Sequence, residues 1–150
     1  MIKLIALVDA DLGISKNGEI PWSFREDRKF FRKKTMGSVV VMGRNTFLSI
    51  GGIPLDGRIN CVISGRGVLA TGVEKFTSLE EVMKKYDDFW IIGGAELYNC
   101  ALERELVDYA LITRIRQGYG ADTFFSKSAL ERFSSRVLYE NSEYSIVEYL

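Results

Sequence analysis

Short apolar segments rich in β-branched residues alternate along the chain with segments whose apolar residues recur at helical spacing. This alternation restricts the chain to folds in which helices cover a central sheet. The first segment, residues 2–8, is almost entirely apolar, as expected for a strand that is covered on both faces. Further strands are predicted at residues 38–42, 59–63, 73–76, 89–92 and 107–115, and helices at 24–35, 44–50, from 78 onward and at 95–102. The pattern is typical of an α/β domain.

The end of the chain has a different pattern. Residues 136–139 and 144–150 are predicted to form an antiparallel hairpin, because the polar segment Glu140-Asn141-Ser142-Glu143 separates two segments with strand character. With 150 residues, the chain is long enough for one hydrophobic core and short for two. We therefore predict a single domain over residues 1–150.

The sequence contains no histidine. This excludes Ser-His-Asp and Cys-His catalysis, and it removes the side chain that most zinc and non-haem iron sites use. The two cysteines, Cys61 and Cys100, are too far apart in the sequence to suggest a metal-binding cluster, so we predict no metal site. Any chemistry must come from carboxylates, hydroxyls, cationic side chains or a bound cofactor.

Charge and hydropathy indicate the surroundings of the protein. Twenty basic residues balance twenty acidic ones, so no overall charge attracts nucleic acid or an anionic membrane. Asp9 and Asp11 interrupt the apolar N-terminus as a signal peptide would not, and no segment approaches the roughly 18 apolar residues of a membrane span. We expect a cytoplasmic protein with two reduced thiols, although the sequence alone leaves a Cys61–Cys100 disulfide open.

One carboxylate lies on the apolar side of the first predicted helix. At about 100° per residue, Phe24, Asp27, Phe31 and Thr35 share one sector of the helix. An acid in the first turn is also favoured by the helix dipole, wherever its side chain points. However, a carboxylate that faces the core needs a hydrogen-bonding partner or a raised pKa, and both are typical of functional sites. The pattern alone leaves both interpretations open.

Two predicted strands end in turns that suit phosphate groups. Gly93-Gly94 follows an apolar strand and precedes a helix, where backbone N–H groups at the positive helix end can receive a phosphate. Gly43-Arg44 follows another strand in the same manner and adds a cation. Glycine also serves turn geometry alone, and the absence of G-x-G-x-x-G at these turns excludes a conventional Rossmann dinucleotide site. Together the two turns suggest a ligand with more than one phosphate.

Three further residues are ambiguous when each is considered alone. Arg58 follows a turn, where an arginine is more often a solvated surface charge than a ligand contact. Trp22, after Pro21, is more often a packing residue, and Thr113 is more often an ordinary strand residue. They gain functional meaning only in combination with the other motifs.

The motifs occur together in the order and with the spacing of the dihydrofolate reductase family. The chain resembles that family in Leu4-Ile5-Ala6, Pro21-Trp22 followed by Asp27, Val41-Met42-Gly43-Arg44-Asn45-Thr46-Phe47 with Ser49-Ile50-Gly51, Leu55-Asp56-Gly57-Arg58, Ile91-Ile92-Gly93-Gly94-Ala95 with Tyr98, and Thr113 with Gly120-Ala121-Asp122-Thr123-Phe124-Phe125. The resemblance implies a mostly parallel central sheet that is flanked by helices and ends in a C-terminal antiparallel hairpin.

The resemblance also implies NADPH-dependent reduction of 7,8-dihydrofolate to 5,6,7,8-tetrahydrofolate by hydride transfer. Asp27 would hold the pteridine ring and favour protonation of its N5, and Trp22 and Thr113 would support the carboxylate and an ordered water. The other residues implied at the substrate are the apolar Ile5, Phe31, Ile50 and Ile92 and the cationic Arg58. From the residues themselves we hypothesise that Arg28 and Arg32 join Arg58 in a cationic rim for the glutamate tail; the pattern equally leaves open a solvated Arg28 that only covers apolar surface. Arg58 would bind the α-carboxylate of the glutamate tail. Hydride transfer needs no protein nucleophile, so a chain without histidine can catalyse it.

NADPH would be bound mainly at the two glycine turns. The resemblance implies that Arg44, Thr46 and Ser64 bind its phosphates, and that residues 93–95 pass under the pyrophosphate with a cis peptide bond between Gly93 and Gly94. Residues 14–22 would form a loop that closes over the nicotinamide. The other implied cofactor residues are Ala6, Leu7, Ile14, Ile20, Gly43, Asn45, Gly65, Arg66, Ala95, Glu96, Leu97 and Tyr98.

Four positions depart from the family pattern. Arg28 stands where an apolar residue is usual, Gly52 replaces a frequent basic residue near the substrate tail, and Gly65 and Glu96 replace polar or basic residues near the cofactor phosphates.

Two alternatives remain beside dihydrofolate reduction, and Asp27 counts against both. One is another NADPH reductase of this fold, such as a pyrimidine reductase of riboflavin synthesis, and the other is an inactive nucleotide-binding module. We expect a small-molecule substrate, no nucleic-acid or membrane partner, and a monomer.

Overall fold

The computed structural model describes residues 1–15, 25–67 and 71–150. The strands are β1 (Ile2–Val8), β2 (Gly13–Ser15), β3 (Val39–Gly43), β4 (Ile59–Ile63), β5 (Val73–Phe76), β6 (Phe89–Gly93), β7 (Tyr109–Ile115), β8 (Thr123–Phe124), β9 (Ser135–Glu140) and β10 (Tyr144–Tyr149). The helices are α1 (Arg25–Thr35), α2 (Arg44–Ser49), α3 (Leu79–Lys85), α4 (Ala95–Glu103) and α5 (Lys127–Glu131). None of these helices combines the length and the apolar character that crossing a membrane requires.

Eight strands form one sheet in the order β5-β4-β3-β6-β1-β7-β10-β9. The six strands from β5 to β7 are all parallel to their neighbours. β10 pairs antiparallel with both β7 and β9, so that β9 and β10 form a hairpin at the end of the chain. The predicted α/β fold, with its mostly parallel sheet and C-terminal antiparallel hairpin, is confirmed.

The side chains of the central strands alternate between two apolar clusters. In β1, Leu4 and Ala6 belong to the cluster covered by α3, α4 and α5, whereas Ile5 belongs to the cluster covered by α1 and α2. Successive side chains of a strand point to opposite faces of its sheet. Because helices cover both faces here, nearly every residue of β1 is apolar, as the sequence pattern predicted.

Three short elements were not predicted from the sequence. β2 and β8 pair with each other in a separate two-stranded sheet, and α5 has only five residues. Elements this short do not show a repeating apolar pattern. One local signal for α5 is its N-cap, Ser126, whose Oγ accepts a hydrogen bond from the Ala129 N–H. In addition, β7 begins at Tyr109 and not at residue 107 as predicted.

The start of α3 is capped by a serine. Ser78 Oγ accepts a hydrogen bond from the Glu81 N–H at 3.2 Å, which is one half of a capping box. The Glu81 carboxylate does not return to Ser78. It accepts hydrogen bonds from the Thr77 N–H at 2.5 Å and the Thr77 hydroxyl at 2.8 Å. The second half of the box is therefore displaced by one residue.

Both cysteines are free, which confirms the predicted thiols. Cys61 is buried in β4, and Cys100 is half-buried on α4. Burial raises the pKa of the Cys61 thiol to about 12, because the thiolate would lose its hydration. This thiol therefore stays protonated at neutral pH.

Asp9 follows β1 and is fully buried. Its Oδ1 accepts hydrogen bonds from the N–H groups of Asp11 and Gly13 at 2.8 and 2.7 Å, and its Oδ2 accepts one from the Tyr119 N–H at 3.1 Å. A buried carboxylate is stable only when its oxygens are satisfied in this way. Asp9 thus joins the turn after β1 to the segment that follows β7.

Candidate active site

The strands β1, β3, β4 and β6 run in the same direction, so their carboxyl ends lie at one edge of the sheet. This edge carries Gly43 at the end of β3, Ser64 directly after β4 and Gly93 at the end of β6. Ligands of open α/β sheets bind at this edge. The structure therefore brings together three predicted cofactor residues that are distant in the sequence.

The two glycine turns meet at this edge. The peptide bond between Gly93 and Gly94 is cis, as the resemblance implied, and Gly93 has a φ of 141°, which favours glycine. A Cβ atom added at Gly93 would lie 3.0 Å from Thr46 Oγ1, and one added at Gly94 would lie 3.1 Å from the same atom. Thr46 of α2 therefore packs against the backbone of the second turn, in space that side chains at these positions would fill.

Cationic and hydroxyl side chains surround the glycine turns. Arg44 begins α2 and is half-buried, and Arg66 is exposed. Neither guanidinium has a carboxylate partner among the residues that the structure describes. Ser64 is buried, and its Oγ accepts a hydrogen bond from the Arg66 N–H at 3.1 Å. Cations without anionic partners beside a helix N-terminus fit the phosphates of a dinucleotide.

The other predicted cofactor residues lie on several elements of the fold. Tyr98 is buried on α4, and its hydroxyl donates a hydrogen bond to the Ile5 carbonyl oxygen at 2.8 Å, which joins α4 to β1. The remaining ones are placed as follows: Ala6 and Leu7 on β1, Ile14 on β2, Asn45 on α2, Gly65 after β4, and Ala95, Glu96 and Leu97 in the first turn of α4. Ile20 lies outside the described residues.

Asp27 lines a cavity of about 230 Å³ between α1, β7 and the β9–β10 hairpin. Thr113 of β7 lines the same cavity, and its hydroxyl forms a hydrogen bond with the Asp27 carboxylate. The other lining residues are Glu26, Phe30, Tyr139, Tyr144 and Ile146. The structure thus brings together two of the three predicted catalytic residues. The third, Trp22, lies outside the described residues.

The pKa of Asp27 is raised from its ordinary 3.8 to about 6. Burial is the main cause, because the ionised carboxylate loses hydration in the apolar wall of the cavity. The hydrogen bond from Thr113 and the charge of Arg28 favour the ionised form and partly offset this effect. A carboxyl group with this pKa can gain or lose a proton near neutral pH, which suits acid–base chemistry.

Replacing Asp27 with asparagine is expected to stabilise the protein at neutral pH. In wild type the carboxyl pKa is about 6 folded and near 3.8 unfolded, so the folded state binds more protons between these values. The free energy of unfolding therefore falls as pH rises through this range, by about 3 kcal/mol in total. The asparagine side chain has no such titration. Urea unfolding should show the variant about 2–3 kcal/mol more stable at pH 7 and a difference that vanishes below the unfolded pKa of 3.8, and a pH-independent difference would contradict the raised pKa.

Arg58 lies beside the C-terminal end of α1, and only 3% of its side chain is exposed. Its interpretation as a solvated surface charge is therefore wrong. Its Nε donates a hydrogen bond to the Asp56 carbonyl oxygen at 2.9 Å, and its Nη1 donates one to Thr35 Oγ1 at 3.0 Å. Its guanidinium lies 5.9 Å from the ring centre of Phe31. A guanidinium held in this way is positioned in advance for a carboxylate.

The remaining predicted substrate residues are divided between the interior and the surface. Ile5, Phe31 and Ile92 belong to the same apolar cluster between α1 and the sheet. Ile50 caps the C-terminus of α2 and is 39% exposed, outside that cluster. Arg28 and Arg32 are exposed on α1, and Arg32 forms an ion pair with Asp56.

Several residues of the site were not identified from the sequence. Thr35, which contacts Arg58, shares the helical stripe of Asp27, so a polar residue facing the core was a signal in that case. Tyr144 and Ile146 reach the Asp27 cavity from the end of the chain, and no local pattern indicates this. Their position depends on the pairing of β10 with β7.

Comparisons with known proteins agree with this geometry. The family model described as dihydrofolate reductase matches residues 1–145. A viral dihydrofolate reductase of Saimiriine herpesvirus 2 (strain 488) is 33% identical in an alignment that covers 93% of this chain and 75% of that protein. The dihydrofolate reductase of Sus scrofa is 33% identical in an alignment that covers 88% of this chain and 82% of that protein.

A solved structure extends the similarity to the whole fold. The dihydrofolate reductase from Enterococcus faecalis, complexed with NADP(H) and RAB-propyl, matches with a TM-score of 0.84 at 27% sequence identity. The match covers 99% of this chain and 95% of that one. This chain belongs to the dihydrofolate reductase family, as the family model, the relatives and the shared fold all show.

Proposed function

We propose that this protein reduces 7,8-dihydrofolate to 5,6,7,8-tetrahydrofolate with NADPH. The observation that carries the proposal is Asp27, a carboxylate in an apolar cavity whose pKa is raised to about 6 and whose hydrogen-bond partner is Thr113. Membership of the dihydrofolate reductase family supports the reaction, and the NADP(H) complex of the Enterococcus faecalis relative supports the choice of cofactor.

The residues at the carboxyl edge of the sheet fit NADPH. Thr46 lies so close to Gly93-Gly94 that side chains there would crowd it, and Arg44 and Arg66 have no carboxylate partner among the described residues. In the proposed complex, Arg44, Thr46 and Ser64 hold phosphates, and the N-terminus of α4 adds its positive end. When bound, NADPH supplies the hydride.

Asp27 is proposed to hold the pteridine ring and to favour a proton at its N5. Its carboxylate accepts hydrogen bonds from the ring N–H groups, and a proton on N5 makes the ring a better hydride acceptor. Thr113 keeps the carboxylate in place through its hydroxyl. We assign Trp22 to the support of an ordered water between Asp27 and the ring. The apolar cluster of Ile5, Phe31 and Ile92 would exclude other water from the reacting atoms.

The cationic residues beside α1 are proposed to bind the glutamate tail. Arg58 is buried and anchored, so it is assigned to the α-carboxylate. Arg28 and Arg32 are exposed on the same helix and would add positive charge at the rim, while Ile50 would contact the aminobenzoyl ring.

We further propose that the protein acts as a cytoplasmic monomer without a nucleic-acid partner. Light scattering of the purified chain tests the monomeric state.

The proposed function is tested by following NADPH absorbance with purified protein, with and without dihydrofolate. Dihydrofolate-dependent oxidation of NADPH, with tetrahydrofolate identified as the product, is the expected result. Oxidation that does not depend on dihydrofolate, or none at all, would contradict the proposal. A pyrimidine substrate of riboflavin synthesis serves as the control for the alternative reductase activity and should not be reduced.

Replacing Arg44 with alanine is expected to weaken NADPH binding by about 1.5–3 kcal/mol, the contribution of a hydrogen bond to a charged group. If Arg44 contacts the 2′-phosphate, NADH binding should change far less, because NADH lacks that group. Kd values from fluorescence titration of both cofactors check this expectation. Equal losses for NADPH and NADH would show that Arg44 contacts only the part that the two cofactors share.

A further inference from the structure

The carboxylate of Asp56 lies between two arginines. Arg32 on α1 donates two hydrogen bonds to it, from Nη1 to Oδ1 at 3.0 Å and from Nη2 to Oδ2 at 3.1 Å. On the other side, Arg58 Nη2 lies 3.4 Å from the same Oδ1. Asp56 thus occupies the space between the exposed and the buried guanidinium, where an incoming carboxylate of the substrate tail would bind.

Arg58 does not need the Asp56 side chain to stay in place. Its two shorter hydrogen bonds go to the Asp56 carbonyl oxygen and to Thr35 Oγ1, at 2.9 and 3.0 Å. The turn that carries Asp56 is also held by the backbone, because the Gly37 N–H donates a hydrogen bond to the Gly57 carbonyl oxygen at 2.8 Å. Only the side chain of Asp56 therefore has to move when another anion approaches Arg58.

The contact between Asp56 and Arg32 is easily exchanged. The side chain of Asp56 is 76% exposed and that of Arg32 is 56% exposed. Exposed ion pairs of this kind contribute little to stability, since water and salt screen both charges. The same charges matter more to a ligand, because an ionised Asp56 within hydrogen-bonding range of both guanidiniums repels a second carboxylate.

We propose that Asp56 is an internal competitor for the carboxylate of the substrate tail, and so determines how tightly and for how long the tail is held. This inference rests on the proposed function. When the tail binds, its carboxylate takes the place of Asp56 at Arg58. Asp56 then turns towards solvent, whether or not it stays paired with Arg32. When the product leaves, Asp56 returns and neutralises the vacated cations.

The proposal predicts tighter substrate binding after loss of a negative charge. Asp56→Asn keeps the shape of the side chain and the backbone carbonyl that holds Arg58, but it removes the repulsion. We expect dihydrofolate to bind about two- to fivefold more tightly at low salt, the range typical of an exposed charge pair. The gain should appear as faster association, because Asp56 no longer occupies the site, together with slower dissociation, and it should shrink as salt is added.

The experiment compares wild type, Asp56→Asn and Glu80→Gln by titration and stopped-flow dissociation of dihydrofolate at low and high salt. Glu80 is the matched control, because it lies on α3, on the other side of the sheet from α1, and forms an exposed ion pair with Arg104. A second ligand, 6-methyl-7,8-dihydropterin, has the ring but no tail. Tighter binding of dihydrofolate by Asp56→Asn alone, with unchanged binding of the dihydropterin, is the expected result.

Other outcomes separate the competition from the function on which it rests. Unchanged or weaker dihydrofolate binding in Asp56→Asn would overturn the competition, and so would equal tightening for the tail-less ligand. Wild-type turnover of dihydrofolate in the same samples would show that the proposed function stands despite that result. A wild-type protein that neither binds nor reduces dihydrofolate would overturn both.

Discussion

Replacing Asp27 with asparagine is expected to lower kcat for dihydrofolate by about 10²-fold or more near neutral pH, the scale of acid–base catalysis. Asparagine has the size of aspartate and opens no cavity, but it carries no charge that would favour a proton on N5 of the pteridine. Steady-state NADPH oxidation in wild type and variant at pH 7 measures the difference. Wild-type turnover in the variant would refute the role proposed for Asp27.

The pH dependence of the same reaction gives an independent test. The pKa of Asp27 in the free protein is about 6. The reacting complex needs one proton, which the free protein carries on Asp27 and the complex places on N5, so kcat/KM of wild type should fall as pH rises above that value. The residual activity of Asp27→Asn should lack this inflection. The variant is expected to be more stable than wild type at pH 7, so the loss of activity should occur in folded protein, and circular dichroism of the assay samples checks this.

Replacing Asp9 with alanine is expected to lower the free energy of unfolding by about 3–5 kcal/mol. The carboxylate is fully buried and accepts hydrogen bonds from three backbone N–H groups, those of Asp11, Gly13 and Tyr119. Alanine would leave these donors without their acceptor, and each unsatisfied buried donor costs about 1–3 kcal/mol. Urea unfolding at pH 7 measures the loss.

Two further variants make the Asp9 prediction specific. Asp9→Asn keeps one acceptor oxygen for Asp11 and Gly13 but presents an N–H group to Tyr119, so its loss should be smaller than that of alanine. Asp11→Ala removes an exposed acid two residues away and should change stability by less than about 0.5 kcal/mol. A loss in Asp9→Ala no larger than that in Asp11→Ala would contradict the structural role.

Most of the sheet was predictable from short-range patterns. An apolar segment such as β1 shows by itself that it is buried on both faces, and the glycine turns after β3 and β6 mark where those strands end. The stripe of Asp27, Phe31 and Thr35 is likewise a property of one helix. The family resemblance added the roles of these residues, which no spacing within a single element contains.

The sequence alone therefore determined the longer elements, their buried faces and the position of one carboxylate towards the core. Only the tertiary structure decided that Thr113 meets Asp27, that Arg58 is buried against Thr35, and that Asp56 bridges to Arg32. The physical reason is separation along the chain. Apolar periodicity arises between residues a few positions apart, whereas the contact of Arg32 with Asp56 spans 24 positions and that of Asp9 with Tyr119 spans 110. Such contacts exist only after the strands have paired and the helices have packed.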